Sequence, residues 1–144
     1  MASPLQRQVA VNRQGLRRAA QALRDWLATE GIGGEAARGA ELALEELGSN
    51  LLRHRGPQGS ASWLRIEANL RETELELRLV DDGPPFDPTG AAPPDLELPL
   101  SERPTGGLGL WLVRQTAAGW SYARTAEGNQ QVCTFPHHQG PAAP

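Results

Sequence analysis

The stretch SWLRIEANLRETELELRLVDDG, residues 62–83, decides the architecture. In residues 62–70, Leu64, Ile66, Ala68 and Leu70 alternate with Arg65, Glu67 and Asn69. In residues 74–80, Leu75, Leu77 and Leu79 alternate with Glu74, Glu76 and Arg78. A period of two marks strands with one face buried and one wet. Arg71 to Glu74 are enough to turn the chain, and strands joined by a tight hairpin are antiparallel.

Toward the N-terminus, residues 4–11 read as a short strand. Arg13 to Thr29 follow a helical period, with Leu16, Ala19, Ala20, Leu23, Trp26 and Leu27 three or four residues apart. The run GIGG, 31–34, ends that helix. A second helix is expected from Glu35 to about Arg55, where Gly56-Pro57-Gln58-Gly59 breaks it. Ala36, Ala40, Leu44, Leu47 and Leu51 form its apolar stripe.

Toward the C-terminus, residues 81–105 hold seven of the chain's 12 prolines. A loop this long within a compact domain is functional or disordered. An apolar helix from Leu108 to Thr116 follows. Strands at 120–124 and 130–135 are joined by a turn at Glu127-Gly128-Asn129. The tail HHQGPAAP, 137–144, reads as disordered. The order β-α-α-β-β-loop-α-β-β predicts an α+β two-layer sandwich, a mainly antiparallel sheet with helices on one face. No internal repeat is present, and 144 residues suit one domain.

Bulk composition excludes several classes. The net charge is −3 and the arginines are scattered, so no basic run points to nucleic acid. Cys133 is the sole cysteine, which rules out an internal disulfide framework. No apolar run approaches the ~18 residues of a membrane span, and the N-terminus lacks a signal-peptide core. A cytoplasmic location is the default expectation. All 14 basic residues are arginine. With no lysine, neither a Walker A loop nor a protein-kinase strand lysine can exist here.

Three constellations could carry chemistry. Glu46, Asn50 and His54 stand at i, i+4 and i+8 on one flank of the second helix, and their side chains offer a proton acceptor and a hard-cation ligand. A solvated helix face would look the same. In LVDDGPPFDP, 79–88, a carboxylate ends an apolar strand and a glycine follows. Asp81 would accept from a ligand donor such as a purine amine, Asp82 competes for that role, and a plain turn explains the motif equally well. Gly106, Gly107 and Gly109 stand at the mouth of the third helix, whose unpaired N–H groups and dipole suit phosphate. His137 and His138 read as exposed, and Trp26, Trp63, Trp111 and Trp120 as core.

Taken together, in this order, the three resemble one family. EELGSNLLRH is similar to the N box of the GHKL ATPases, DDGPPFDP to their first glycine box, and GGLGLWLVR to their second. The short chain most resembles the anti-sigma-factor serine/threonine kinases, over residues 5 to 135. The resemblance implies a Bergerat fold with a mixed, mainly antiparallel sheet, one ATP-binding unit over 1–136, and ATP with Mg²⁺.

Under it, Glu46 would be the general base and Asn50 the Mg²⁺ ligand. Asp81 would bind the adenine amine, and Gly83 would admit the base. Gly107, Leu108 and Gly109 would meet the phosphates, and residues 87–105 would form the lid. The implied reaction is phosphoryl transfer to a serine or threonine of an antagonist protein, together with sequestration of a sigma factor. A homodimer is also implied, with no direct nucleic-acid or membrane partner. Three departures stand out: Gly56 where relatives often carry an aromatic residue, Ala118 where many carry Asp, and a lid unusually rich in proline. The alternative is a non-catalytic ATP-binding regulatory module, against which Glu46 argues. A split histidine kinase is a third class, disfavoured because no phosphoacceptor helix pair precedes the motifs.

Overall fold

The computed structural model describes residues 3–53, 61–90, 97–99 and 107–138. Strand β1 (Leu5–Ala10) leads into helices α1 (Arg13–Thr29) and α2 (Gly34–Arg53). Strands β2 (Trp63–Leu70) and β3 (Glu74–Asp81) follow, then α3 (Gly107–Thr116), β4 (Gly119–Thr125) and β5 (Gly128–Pro136). A 3-10 turn, Pro88–Gly90, lies between β3 and α3.

The strands form one sheet in the order β1-β2-β3-β5-β4. Every pairing among the described residues is antiparallel. This is the antiparallel limit of the mainly antiparallel sheet expected. The β2–β3 hairpin is the one read from residues 62–83. Its alternating residues Leu64, Ile66, Ala68, Leu75, Leu77 and Leu79 are buried in the core with the helices.

Local chemistry sets the helices. The Asn12 side chain caps α1, accepting from the Gly15 N–H at 2.6 Å. α1 buries Ala19, Leu23, Trp26 and Leu27, and α2 buries Ala36, Ala40, Ala43, Leu44 and Leu47, joined to the inner sheet face in one core. The outer face is closed by the sheet's own charges, including an Arg65–Glu127 pair at 2.7 Å and an Arg78–Glu76 pair at 3.2 Å. Trp63, expected in the core, stands instead with Arg65, whose guanidinium lies 5.9 Å from its ring centroid. Its neighbour Leu64 faces the helices, so parity forces Trp63 to the opposite face.

The inner face is graded. Its successive rungs across β2, β3 and β5 read Leu70–Leu75–Phe135, Ala68–Leu77–Cys133, Ile66–Leu79–Gln131 and Leu64–Asp81–Asn129. It is apolar at one end and polar at the other. Cys133 is fully buried, and desolvation pushes its thiol up to about 12, so it is inert at neutral pH. The end of the chain is tied further than expected. The His137 N–H donates to the Thr73 carbonyl at 2.9 Å, so His137 extends the β3–β5 pairing and is half-buried, while His138 is exposed. The rest of the predicted tail, 139–144, lies outside the described residues, as do His54 and most of the predicted lid.

Candidate functional site

A cavity of about 310 Å³ opens at the polar end of the sheet, between it and α2. Leu47, Leu64 and Leu79 supply apolar wall, while Asn50, Asp81, Asn129 and Gln131 bring polar groups to it. All four polar residues are buried, with Asn50 and Asp81 each 5% exposed. A mostly apolar cleft with a few convergent polar groups is the usual form of a small-molecule site.

The structure resolves the choice between the two aspartates. Asp82 Oδ1 accepts from the backbone N–H groups of Ser62 at 2.6 Å and Trp63 at 3.0 Å, fastening the end of β3 to the start of β2. Asp81 is the residue that faces the cavity. Its Oδ1 accepts from the Gly83 N–H at 2.9 Å and from Asn129 Nδ2 at 3.1 Å. Among the described residues none donates to Oδ2. Burial pushes the Asp81 carboxyl above the ordinary carboxylate range, opposed by the hydrogen bonds from Asn129 and Gly83. Gly83 is tightly held: a Cβ there would lie 2.9 Å from Asp81 Oδ1 and 3.2 Å from the Ala61 Cβ.

Asn129 is the hub of the site, and sequence reasoning missed it. Its Nδ2 also donates to the Pro84 carbonyl at 2.9 Å. Its Oδ1 accepts from Tyr122 Oη at 2.6 Å, Arg124 Nη1 at 3.2 Å and the Phe86 N–H at 3.3 Å. Arg124 Nη1 in turn donates to the Gly83 carbonyl at 2.7 Å. One amide thus ties the Asp81-to-Phe86 loop to β4 and β5. The sequence placed Asn129 in a turn; it is the second residue of β5, paired with Asp81. Running the alternation of Phe135, Cys133 and Gln131 back by one step would have put it on the inner face.

Asn50 lines the cavity, and no described residue hydrogen-bonds its side chain. A buried amide without a protein partner is costly unless a ligand or water meets it. No cluster of three His, Cys, Asp or Glu that could hold a metal occurs among the described residues. The Asn50 amide oxygen is of the kind a hard cation accepts as a ligand.

Glu46, one turn before Asn50 on α2, reaches the start of α3. A Cβ on Gly109 would collide with the Glu46 carboxylate, so a glycine is what lets that carboxylate lie there. Gly107 is the first residue of α3. Leu108 is 39% exposed and does not line the cavity. At the other end of the lid segment, Arg114 on α3 hydrogen-bonds the Thr89 carbonyl, and its guanidinium lies 5.3 Å from the Trp120 ring centroid. The structure thus brings Asn50, Asp81 and Gly83 to one cavity and joins Glu46 to Gly109 beside it.

Residues 9–134 match the family model described as the histidine kinase-like ATPase domain, and the chain belongs to that family. Among curated relatives it is similar to the serine/threonine-protein kinase BtrW of Bordetella bronchiseptica, 29% identical over 93 residues, which is 65% of this chain and 66% of that protein. Among solved structures it is similar to the crystal structure of the RsbU and RsbW domains of Rv1364c from Mycobacterium tuberculosis. That match has a TM-score of 0.63 at 17% identity, over 94% of this chain and 33% of the other. At that identity the likeness concerns the fold. No described helix is long and apolar enough to cross a membrane.

Proposed function

We propose that this chain is an ATP-dependent serine/threonine protein kinase of the anti-sigma-factor type, acting in one ATP-binding unit over residues 1–136. It phosphorylates an antagonist protein and sequesters a sigma factor or a similar regulator. The observation that carries this reading is the cavity itself. Buried Asp81 offers a free carboxylate oxygen, and Asn50 offers an unpartnered amide, on two walls of one cleft.

In this reading Asp81 accepts the adenine amine, and Asn129 holds that carboxylate in place. The apolar walls exclude water and stack against the base. Asn50 gives its amide oxygen to Mg²⁺, which when bound supplies charge neutralisation for the phosphates. The N–H groups at the start of α3, from Gly107 to Gly109, face the phosphates, where the helix dipole favours negative charge. Glu46 takes the proton from the attacking hydroxyl as the phosphoryl group is transferred. Residues 87–105 are the lid in this reading, and a homodimer is the expected assembly.

Titration calorimetry with ATP and Mg²⁺ tests the root of the proposal. Absence of binding by both ATP and ADP at millimolar concentration refutes it. Glu46→Ala assayed with a cognate antagonist tests the base. Retained ATP binding with lost transfer supports it, and unchanged transfer removes Glu46 from that role. ATP binding with no transfer to any antagonist leaves a non-catalytic ATP-binding module.

A further inference from the structure

Gln131 is a buried polar side chain to which phosphoryl transfer gives no task. It is 6% exposed, on the inner face of β5, paired with Leu79 and one inward step from Asn129. Trp120 Nε1 donates to its Oε1 at 2.9 Å. An indole N–H can only donate, so the amide oxygen is fixed on the Trp120 side and the NH₂ group occupies the other end. Trp120 is itself held by the Arg114 guanidinium over its ring. Gln131 lines the cavity, and no described residue accepts from its Nε2. That Nε2 opens on the cavity, where water or a ligand acceptor can meet it.

The next rung carries Asn129, whose Nδ2 is already bound to Asp81 and the Pro84 carbonyl, and across from it Asp81, whose Oδ2 is an acceptor. Leu64 and Leu79 flank the pair. The cavity therefore presents an acceptor and a donor side by side on an apolar wall. That pattern matches a flat ring carrying an amine next to a ring nitrogen. Adenine has it, because its exocyclic amine lies between N1 and N7. Guanine reverses it on the Watson–Crick edge, with a carbonyl in place of the amine and an N–H in place of the N1 lone pair.

We propose that Gln131 is a second base-reading residue, its Nε2 donating to the ring nitrogen beside the amine that Asp81 accepts. This rests on the nucleotide reading of the cavity. Where that nitrogen is N1, discrimination against guanine comes from two groups of opposite polarity; where it is N7, which guanine shares, Gln131 adds affinity and Asp81 alone discriminates.

The test is equilibrium binding of ATP, 1-deaza-ATP and 7-deaza-ATP to the full chain, in wild type and in Gln131→Leu and Gln131→Glu. The glutamate variant keeps an oxygen for Trp120 and lacks the donor. One of the two deaza analogues should bind wild type about five- to tenfold more weakly than ATP, the worth of one neutral hydrogen bond. In both variants ATP should fall to the affinity of that analogue, and the gap should close. A gap that persists in the variants, or ATP bound as tightly by them as by wild type, overturns the assignment. Should the leucine variant fail to fold, the glutamate variant and the wild-type analogue comparison decide. Wild type that binds ATP and both analogues equally overturns the role of Gln131 alone. Wild type that binds no nucleotide overturns the cavity reading as well.

Discussion

Asp81→Asn tests the site at its most constrained atom. Both hydrogen bonds to the Asp81 carboxylate fall on Oδ1, from Gly83 at 2.9 Å and Asn129 at 3.1 Å. An asparagine has a single oxygen, and those two donors hold it at that position. Its NH₂ group then replaces Oδ2 and faces the cavity as a donor. The adenine amine, also a donor, loses its acceptor and meets a group of its own kind.

A hydrogen bond to a charged group contributes ~1.5–3 kcal/mol, or roughly 10- to 150-fold in affinity at about 1.4 kcal/mol per tenfold. The mismatch of donors adds to this, so ATP should bind on the order of 100-fold more weakly. Inosine triphosphate, with a carbonyl at that ring position, matches the new donor and should bind the variant more tightly than it binds wild type.

Stability should move the other way. Burial raises the Asp81 carboxyl above its ordinary 3.8 in the folded chain. Between 3.8 and the raised value the native state holds more protons than the unfolded one, so stability falls as pH rises through that window, and the penalty is constant above it. The variant lacks the penalty. Its urea midpoint at pH 7 should equal or exceed wild type, and its stability should lose that slope. Calorimetry with both nucleotides and urea unfolding across pH 4 to 7 read these outcomes. An ATP affinity within about threefold of wild type, or a variant much less stable at neutral pH, refutes the reasoning.

Other perturbations separate the roles of the remaining residues. Gly109→Ala places a methyl on the Glu46 carboxylate, the far end of a flexible side chain. Helix propensity favours alanine by up to ~1 kcal/mol and displacing the carboxylate costs about as much, so thermal unfolding should barely shift while phosphoryl transfer falls at least tenfold. Asn50→Ala should abolish the Mg²⁺ dependence of ATP affinity and leave metal-free binding of the base, as calorimetry with and without chelator would show. Phe135→Ala, in a side chain 1% exposed at the apolar end of the core, should cost ~3–5 kcal/mol of stability in denaturant unfolding without altering the residues of the cavity.

Much of this protein is legible in its sequence because the signals are local. The alternation of Leu75, Leu77 and Leu79 fixes a strand, and the spacing of Leu23, Trp26 and Leu27 fixes a helix, whatever lies elsewhere. The N-box and glycine-box motifs likewise pointed to Asn50, Asp81 and Gly83. Other features depend on which elements lie side by side. Local chemistry alone left Asp81 and Asp82 open, since either suits a turn, and only the motif resemblance named Asp81. In the fold Asp82 binds the N–H groups of Ser62 and Trp63 on β2 and Asp81 faces the cavity.

Asn129 and Gln131 became site residues because β5 inserts between β3 and β4, which sets Asn129 opposite Asp81. Nothing near either residue in the chain announces that neighbour. The contact of Glu46 with Gly109 likewise needs α2 and α3 to meet. Residue types, element order and motif spacing are thus properties of the sequence itself, because short-range periodicity and side-chain chemistry specify them. Which polar groups share a buried cavity belongs to the tertiary fold, because lateral strand pairing and helix packing join residues far apart in the chain.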